Sequence, residues 1–132
     1  MSTNEKLRQA QRMSMPVPAG KKAGDPVRIG GLNGVCQTDR AATSGISPVN
    51  ADGTPNTAFN YGGGNPDGYA TVWFEGAAEF TVAFAVAAIG DPVYILADGS
   101  ALTGTAPGNN LYGHALSTKA ATSGPLTVRI AN

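Results

Sequence analysis

The 132-residue sequence has little charge, one cysteine, one histidine and no long apolar run. Charged residues make up 14% of it, and nine basic residues balance nine acidic ones. Without a broad positive field to hold phosphate, we expect no nucleic-acid partner. The single cysteine, Cys36, excludes an internal disulfide. No apolar stretch approaches the roughly 18 to 20 residues of a membrane helix, so we expect no membrane partner.

Residues for catalysis or cofactor binding are also scarce. His114 has no partner at a motif spacing, and there is no Gly-x-Ser-x-Gly nucleophile turn. The segment 20–22, Gly-Lys-Lys, lacks the glycine spacing and the following Ser or Thr of a phosphate loop. The Asn-Ala-Asp-Gly segment at 50–53 begins like a calcium loop, but no Glu closes it. We therefore predict that the protein is not an enzyme and has no cofactor or metal.

Glycine, by contrast, is abundant, and one glycine-containing phrase occurs twice. Gly-Asp-Pro-Val stands at 24–27 and again at 90–93, and each copy opens a short β-like run. Asp favours turns, and Pro is tolerated at the first residue of a strand. The stretch Ala-Ala-Thr-Ser-Gly also recurs, at 41–45 and 120–124. The sequence therefore predicts two diverged copies of a small β unit, over residues 24–45 and 90–124.

Apolar residues alternate with polar ones over much of the remaining chain, which is typical of half-buried strands. The clearest alternation runs from residue 69 to 88, and another closes the chain at 126–130. This pattern predicts an all-β fold of about seven or eight strands, a compact antiparallel β-barrel or sandwich. We divide the chain into an extended N-terminal arm, 1–20, and a β domain, 21–132. The long loop 46–69 has no periodicity and is functional or disordered.

Candidate contact residues fall into two sets. The arm combines basic residues with flexible apolar ones, which suits it to ordering on a partner. Large aromatics in the loop and on outward strand positions favour contacts with another chain. The arm candidates are Leu7, Arg8, Arg12, Met13 and Met15, and the aromatic candidates are Phe59, Tyr61, Trp73 and Tyr94.

Six short segments of the sequence, taken together with their order and spacing, resemble a family of small tailed-phage proteins, the capsid decoration or head cement proteins. Some members of that family carry a recombinase-like label, which the missing phosphate loop does not support. The resemblance covers 22–45 and 70–132, most of the chain. The phrases are Lys22–Val27, Ile29–Val35, Phe74–Phe80, Gly90–Tyr94, Leu111–Ala115 and Thr127–Ile130.

The resemblance implies a structural protein that is made in the cytoplasm of the bacterial host and binds the outer face of the phage capsid. Its partner would be the major capsid protein, whose lattice it would stabilise, and it would be a homotrimer. Two alternatives stay open: another virion component, such as a head fibre base or tail protein, and a host-surface or carbohydrate-binding module. In the last case the aromatics of the long loop would stack on sugar.

Overall fold

The computed structural model describes residues 11–132 and confirms the all-β prediction. That part of the chain forms nine β-strands and one short 3-10 turn, with no α-helix. The sequence predicted fewer strands because β1 and the two-residue β7 carry no long alternation. The elements are β1 (Arg12–Pro16), β2 (Pro26–Ile29), β3 (Leu32–Cys36), the 3-10 turn (Gly62–Gly64), β4 (Tyr69–Trp73), β5 (Ala77–Val82), β6 (Pro92–Ile95), β7 (Leu102–Thr103), β8 (Asn110–Ala115) and β9 (Gly124–Ile130).

The strands form two antiparallel sheets. The first has the order β1-β4-β3-β2, and the second has the order β5-β9-β8-β6-β7. The edge strands of these sheets are therefore β1 and β2 in the first, and β5 and β7 in the second. Each sheet has its own cluster of buried apolar side chains, and Val35 of the first sheet packs against the cluster of the second.

Alternating burial explains most of the strands. In β9, Leu126, Val128 and Ile130 are buried, while the residues between them are half-buried or exposed. The alternation predicted through residue 88 is not one continuous strand, because β5 ends at Val82. Beyond it, Val86 forms only an isolated bridge, so its side chain is buried without a ladder.

The two Gly-Asp-Pro-Val phrases have the same hydrogen bonds. The N–H of Gly24 donates to the carbonyl of Cys36 at 2.7 Å, and that of Gly90 donates to the carbonyl of Ala115 at 2.7 Å. The aspartate carbonyls accept from the same two partner residues, each at 2.9 Å. Both glycines have a positive φ, 91° and 96°, which an L side chain rarely adopts. The repeated phrase therefore makes the same turn in each sheet.

The duplication extends beyond the phrases. The N–H of Phe74, after β4, donates to the carbonyl of Gln11 at 2.7 Å, just before β1. Likewise, the N–H of Ile130 in β9 donates to the carbonyl of Gly76 at 2.9 Å, just before β5. Strands β1, β2, β3 and β4 thus correspond to β5, β6, β8 and β9. The long loop is the addition in the first copy, and β7 with its hairpin is the addition in the second.

Polar groups join the two sheets where β3 and β8 approach each other. The Nδ2 of Asn33, which is 3% exposed, donates to the carbonyls of Leu111 at 2.9 Å and Ala131 at 2.8 Å. In the opposite direction, the buried hydroxyl of Tyr112 donates to the carbonyl of Gly34 at 2.5 Å. The sheets are therefore held in register by directional bonds as well as by apolar packing.

Candidate functional site

Strand β1 carries three of the predicted contact residues. Residues 12–16 belong to the arm that the sequence predicts, but all five pair with β4, from Arg12 opposite Trp73 to Pro16 opposite Tyr69. Met15 is half-buried and packs against the core cluster of the first sheet. The segment is therefore the edge strand of this chain's own sheet.

A cation–π contact forms at the start of that strand. The guanidinium carbon of Arg12 lies 5.1 Å from the ring centroid of Trp73. Met13 lies on the other face of the strand and is 39% exposed. These three side chains therefore lie on one edge of the first sheet. The remaining arm candidates, Leu7 and Arg8, lie outside the described residues.

The other predicted aromatics lie elsewhere. Phe59 and Tyr61 contact each other edge to face, with ring centroids 4.8 Å apart and an interplanar angle of 88°. Tyr61 is 70% exposed. Tyr94 is half-buried on β6 of the second sheet, where it pairs with Thr103 and Leu111. The seven candidates within the described residues therefore do not form one site.

The long loop is fixed at its base by a carboxylate. Asp67 accepts hydrogen bonds from the N–H of Thr43 at 3.0 Å, from its hydroxyl at 2.8 Å, and from the N–H of Ser44 at 2.7 Å. The bonds from Ser44 and Thr43 hold the pKa of Asp67 below its ordinary value. The loop thus has a defined path in spite of its aperiodic sequence.

A glycine lets the loop pack closely on the body. Gly62 is buried with φ 57°, and a Cβ there would lie 2.5 Å from Ala41. Nearby, the Nδ2 of Asn65 donates to the carbonyl of Gly62 at 2.7 Å and to the hydroxyl of Thr71 at 3.1 Å. The triple glycine at 62–64 therefore forms a tight bend against the body of the domain.

The groups with catalytic potential are separated. Cys36 is buried in the first sheet, and burial raises the pKa of its thiol to about 11. His114 is exposed on β8 of the second sheet. Within residues 11–132 no group of three or more His, Cys, Asp or Glu side chains is placed to hold a metal ion. The same residues include no helix long and apolar enough to cross a membrane.

A groove lies beside β5, and no pattern in the sequence indicates it. The groove encloses about 530 Å³ between β5, the first Gly-Asp-Pro-Val turn and the β6–β7 hairpin. These three segments are far apart in the sequence, so no local pattern could bring them together. The lining residues are Ala23, Gly24, Asp25, Pro26, Glu79, Phe80, Thr81, Val82, Ala83, Ser100, Ala101 and Leu102.

Comparisons with known proteins bear on the resemblance seen in the sequence. Neither the curated proteins nor the solved structures include a significant match. A family model described as phage cement protein matches residues 7–131, nearly the whole chain. The match includes both copies of the repeated unit and the long loop between them. The chain therefore belongs to the phage cement protein family.

Proposed function

We propose that this protein binds the outer surface of the phage capsid and stabilises the lattice of the major capsid protein. The observation that carries the proposal is the family match over residues 7–131, which makes it a structural protein of the phage virion. The low charge and the exposed aromatic and methionine side chains agree with a protein that is partly covered by other chains.

The surface that we propose for the capsid contact is the outer edge of the first sheet. It presents the Arg12–Trp73 pair on one face and Met13 on the other. Methionine adapts to irregular apolar surfaces, and a guanidinium on an aromatic ring keeps its charge available to a carboxylate. Leu7 and Arg8 would extend this contact in the N-terminal direction.

We further propose that three copies act together as a homotrimer at the three-fold positions of the lattice. A modest contact per chain then becomes strong, because the second and third contacts form at a high effective concentration. A cement protein working this way needs no deep binding site. Tyr94 and the Phe59–Tyr61 pair are the candidates for contacts between copies or with neighbouring surfaces.

The test is co-sedimentation of the purified protein with capsids that lack it, followed by image reconstruction. Met13→Asp should weaken binding at least about tenfold, because it buries a carboxylate in an apolar contact. Val49→Asp is the matched control, since it replaces an exposed apolar side chain at the tip of the long loop. Bound protein should also raise the temperature at which the capsids break.

Two outcomes would contradict the proposal. The wild-type protein could fail to bind capsids, with reconstruction placing it on the tail or a fibre instead. Alternatively, it could bind without changing capsid stability. Equal binding of the Met13→Asp and Val49→Asp variants would leave the function standing and remove β1 from the contact surface.

A further inference from the structure

Within residues 11–132, the β5 edge of the second sheet has backbone groups without a partner. The carbonyl of Gly76 accepts a hydrogen bond from the N–H of Ile130 in β9. In an antiparallel pair the direction of the backbone groups alternates, so every second residue after Gly76 also directs its N–H and C=O toward β9. The residues between them, Ala77, Glu79 and Thr81, direct their N–H and C=O groups away from the sheet. All three are exposed. Such an edge is a template for pairing with another strand.

The corresponding edge of the first sheet is protected against strand pairing by a proline. By the same alternation, Arg12, Ser14 and Pro16 direct their backbone groups away from β4. Pro16 occupies the place in β1 that Thr81 occupies in β5, and proline has no N–H to donate. Proline on an edge strand is a known protection against unwanted pairing. The duplicated fold thus protects one edge and leaves the other open.

The open edge forms one wall of the groove described above. Five consecutive residues of this wall line the groove, from Glu79 to Ala83. Because successive side chains of a strand point to opposite faces, a consecutive lining means that the groove meets the strand edge-on. The other walls are residues 23–26 and 100–102. A groove walled in this way suits a single extended segment.

The lining specifies the chemistry of the occupant. Phe80 and Val82 lie on the apolar face of β5, and Leu102 lines the groove with them. Glu79 and Asp25 are the charged residues among the described lining, and the nearby ammonium of Lys21 is occupied by the carbonyls of Pro26 and Gly99. A strand that adds to β5 would therefore have apolar side chains on one face and basic side chains on the other.

We propose that the β5 edge accepts an extended segment of the major capsid protein, with alternating apolar and basic residues, by β-strand addition. This inference rests on the proposed function, which places the capsid beside this protein. A second copy fits less well, because its β1 lacks the N–H donor at Pro16 and its β5 would bring a second Glu79 against the first. The acidic groove complements a basic segment, which adds charge attraction to the backbone bonds.

The test introduces into β5 the proline that β1 already has. Thr81→Pro removes the outward N–H at a position where the equivalent strand tolerates proline, and Thr81→Ser is the control that keeps it. In co-sedimentation with capsids, Thr81→Pro should bind at least about tenfold more weakly and Thr81→Ser like the wild type. Glu79→Lys should weaken binding as well, and it decides the matter if the proline variant does not fold. The amides of Glu79 and Thr81 should exchange more slowly with deuterium on the capsid.

Each remaining outcome overturns the inference in a distinguishable way. If the wild type binds capsids and both Thr81→Pro and Glu79→Lys bind equally well, the groove is not the contact and the proposed function stands. If the wild type does not bind, the function and this inference fail together. Slow exchange at Thr81 without capsids would mean that this chain or a second copy fills the groove, and dependence on protein concentration would identify the second copy.

Discussion

At the scale of single residues, neighbouring strands approach each other so closely in the middle of the molecule that two positions have no room for a side chain. Gly34 lies where a Cβ would come within 2.5 Å of Val72, and at Gly113 it would overlap the carbonyl of Arg129. The two glycines occupy equivalent places in β3 and β8. In the same place, the Tyr112 hydroxyl of the opposite sheet donates to the carbonyl of Gly34.

Replacing that hydroxyl should be costly. Tyr112→Phe removes the bond from the buried hydroxyl to the carbonyl of Gly34, and we expect the free energy of unfolding to fall by about 0.5–1.5 kcal/mol. The matched control is Tyr94→Phe, at a half-buried position, which should change stability by less than about 0.5 kcal/mol. Urea unfolding measures both. Equal midpoints for the two variants would mean that the Tyr112 bond does not stabilise the fold.

At the scale of elements, the long loop shows how an aperiodic segment acquires a fixed path. Its base is tied by Asp67, and at its far end Asp52 accepts bonds from the N–H of Thr54 at 3.0 Å and from its hydroxyl at 2.6 Å. Asn60 adds a bond to the carboxylate of Asp39 at 2.8 Å. Short polar side chains that bond to nearby backbone groups favour such turns over strands.

The Asp67 bonds should make the loop sensitive to acid. The folded pKa of Asp67 lies below its ordinary value of 3.8, so its contribution is present above that value and is lost as the pH falls through the folded pKa. At neutral pH, Asp67→Asn should speed deuterium exchange at the amides of Thr43 and Ser44. Asp52→Asn, at the loop tip, should not. The wild type should approach the behaviour of Asp67→Asn on acidification, and an acid-independent difference would contradict this.

At the scale of the whole molecule, two similar sheets with separate apolar clusters act as one body because polar groups connect them. Besides the bonds from Asn33 and Tyr112, the Nδ2 of Asn132 donates to the carbonyls of Asn33 and Phe74, both at 2.7 Å. The end of β9 is thereby fastened to β3 and to the residue after β4. A duplicated fold needs such contacts, since neither sheet alone covers its own core.

Removing the central side chain of this network should weaken the whole protein. Asn33→Ala removes the bonds to the carbonyls of Leu111 and Ala131, and it leaves Arg28 with only its 3.5 Å bond to the carbonyl of Leu111. We expect a loss of about 2–4 kcal/mol in the free energy of unfolding, measured by urea and thermal unfolding. Asn50→Ala, which removes only exposed bonds in the loop tip, is the control. Similar losses in both variants would show that the bonds of Asn33 between the sheets stabilise the fold no more than exposed bonds in the loop do.

Much of the fold could be predicted because its signals are local. Alternation located β9, and the repeated phrase located the entries to β2 and β6. Strand β1 escaped prediction because an edge strand is exposed along most of its length and has little alternation. Family membership, too, was visible in the order of short phrases. The clustering of Arg12 with Trp73 was not, because 60 residues of intervening chain separate them.

The sequence by itself determined that the chain is all-β, where its turns fall and that it contains one unit twice, because turn chemistry and period-two burial depend on neighbouring residues. The tertiary structure alone decided which strands lie at the edges, and hence that Thr81 faces a groove while Pro16 blunts the equivalent edge. It also paired Asn33 and Tyr112 with carbonyls of the opposite sheet. Those features arise from contacts between distant segments, which follow from packing the two sheets together.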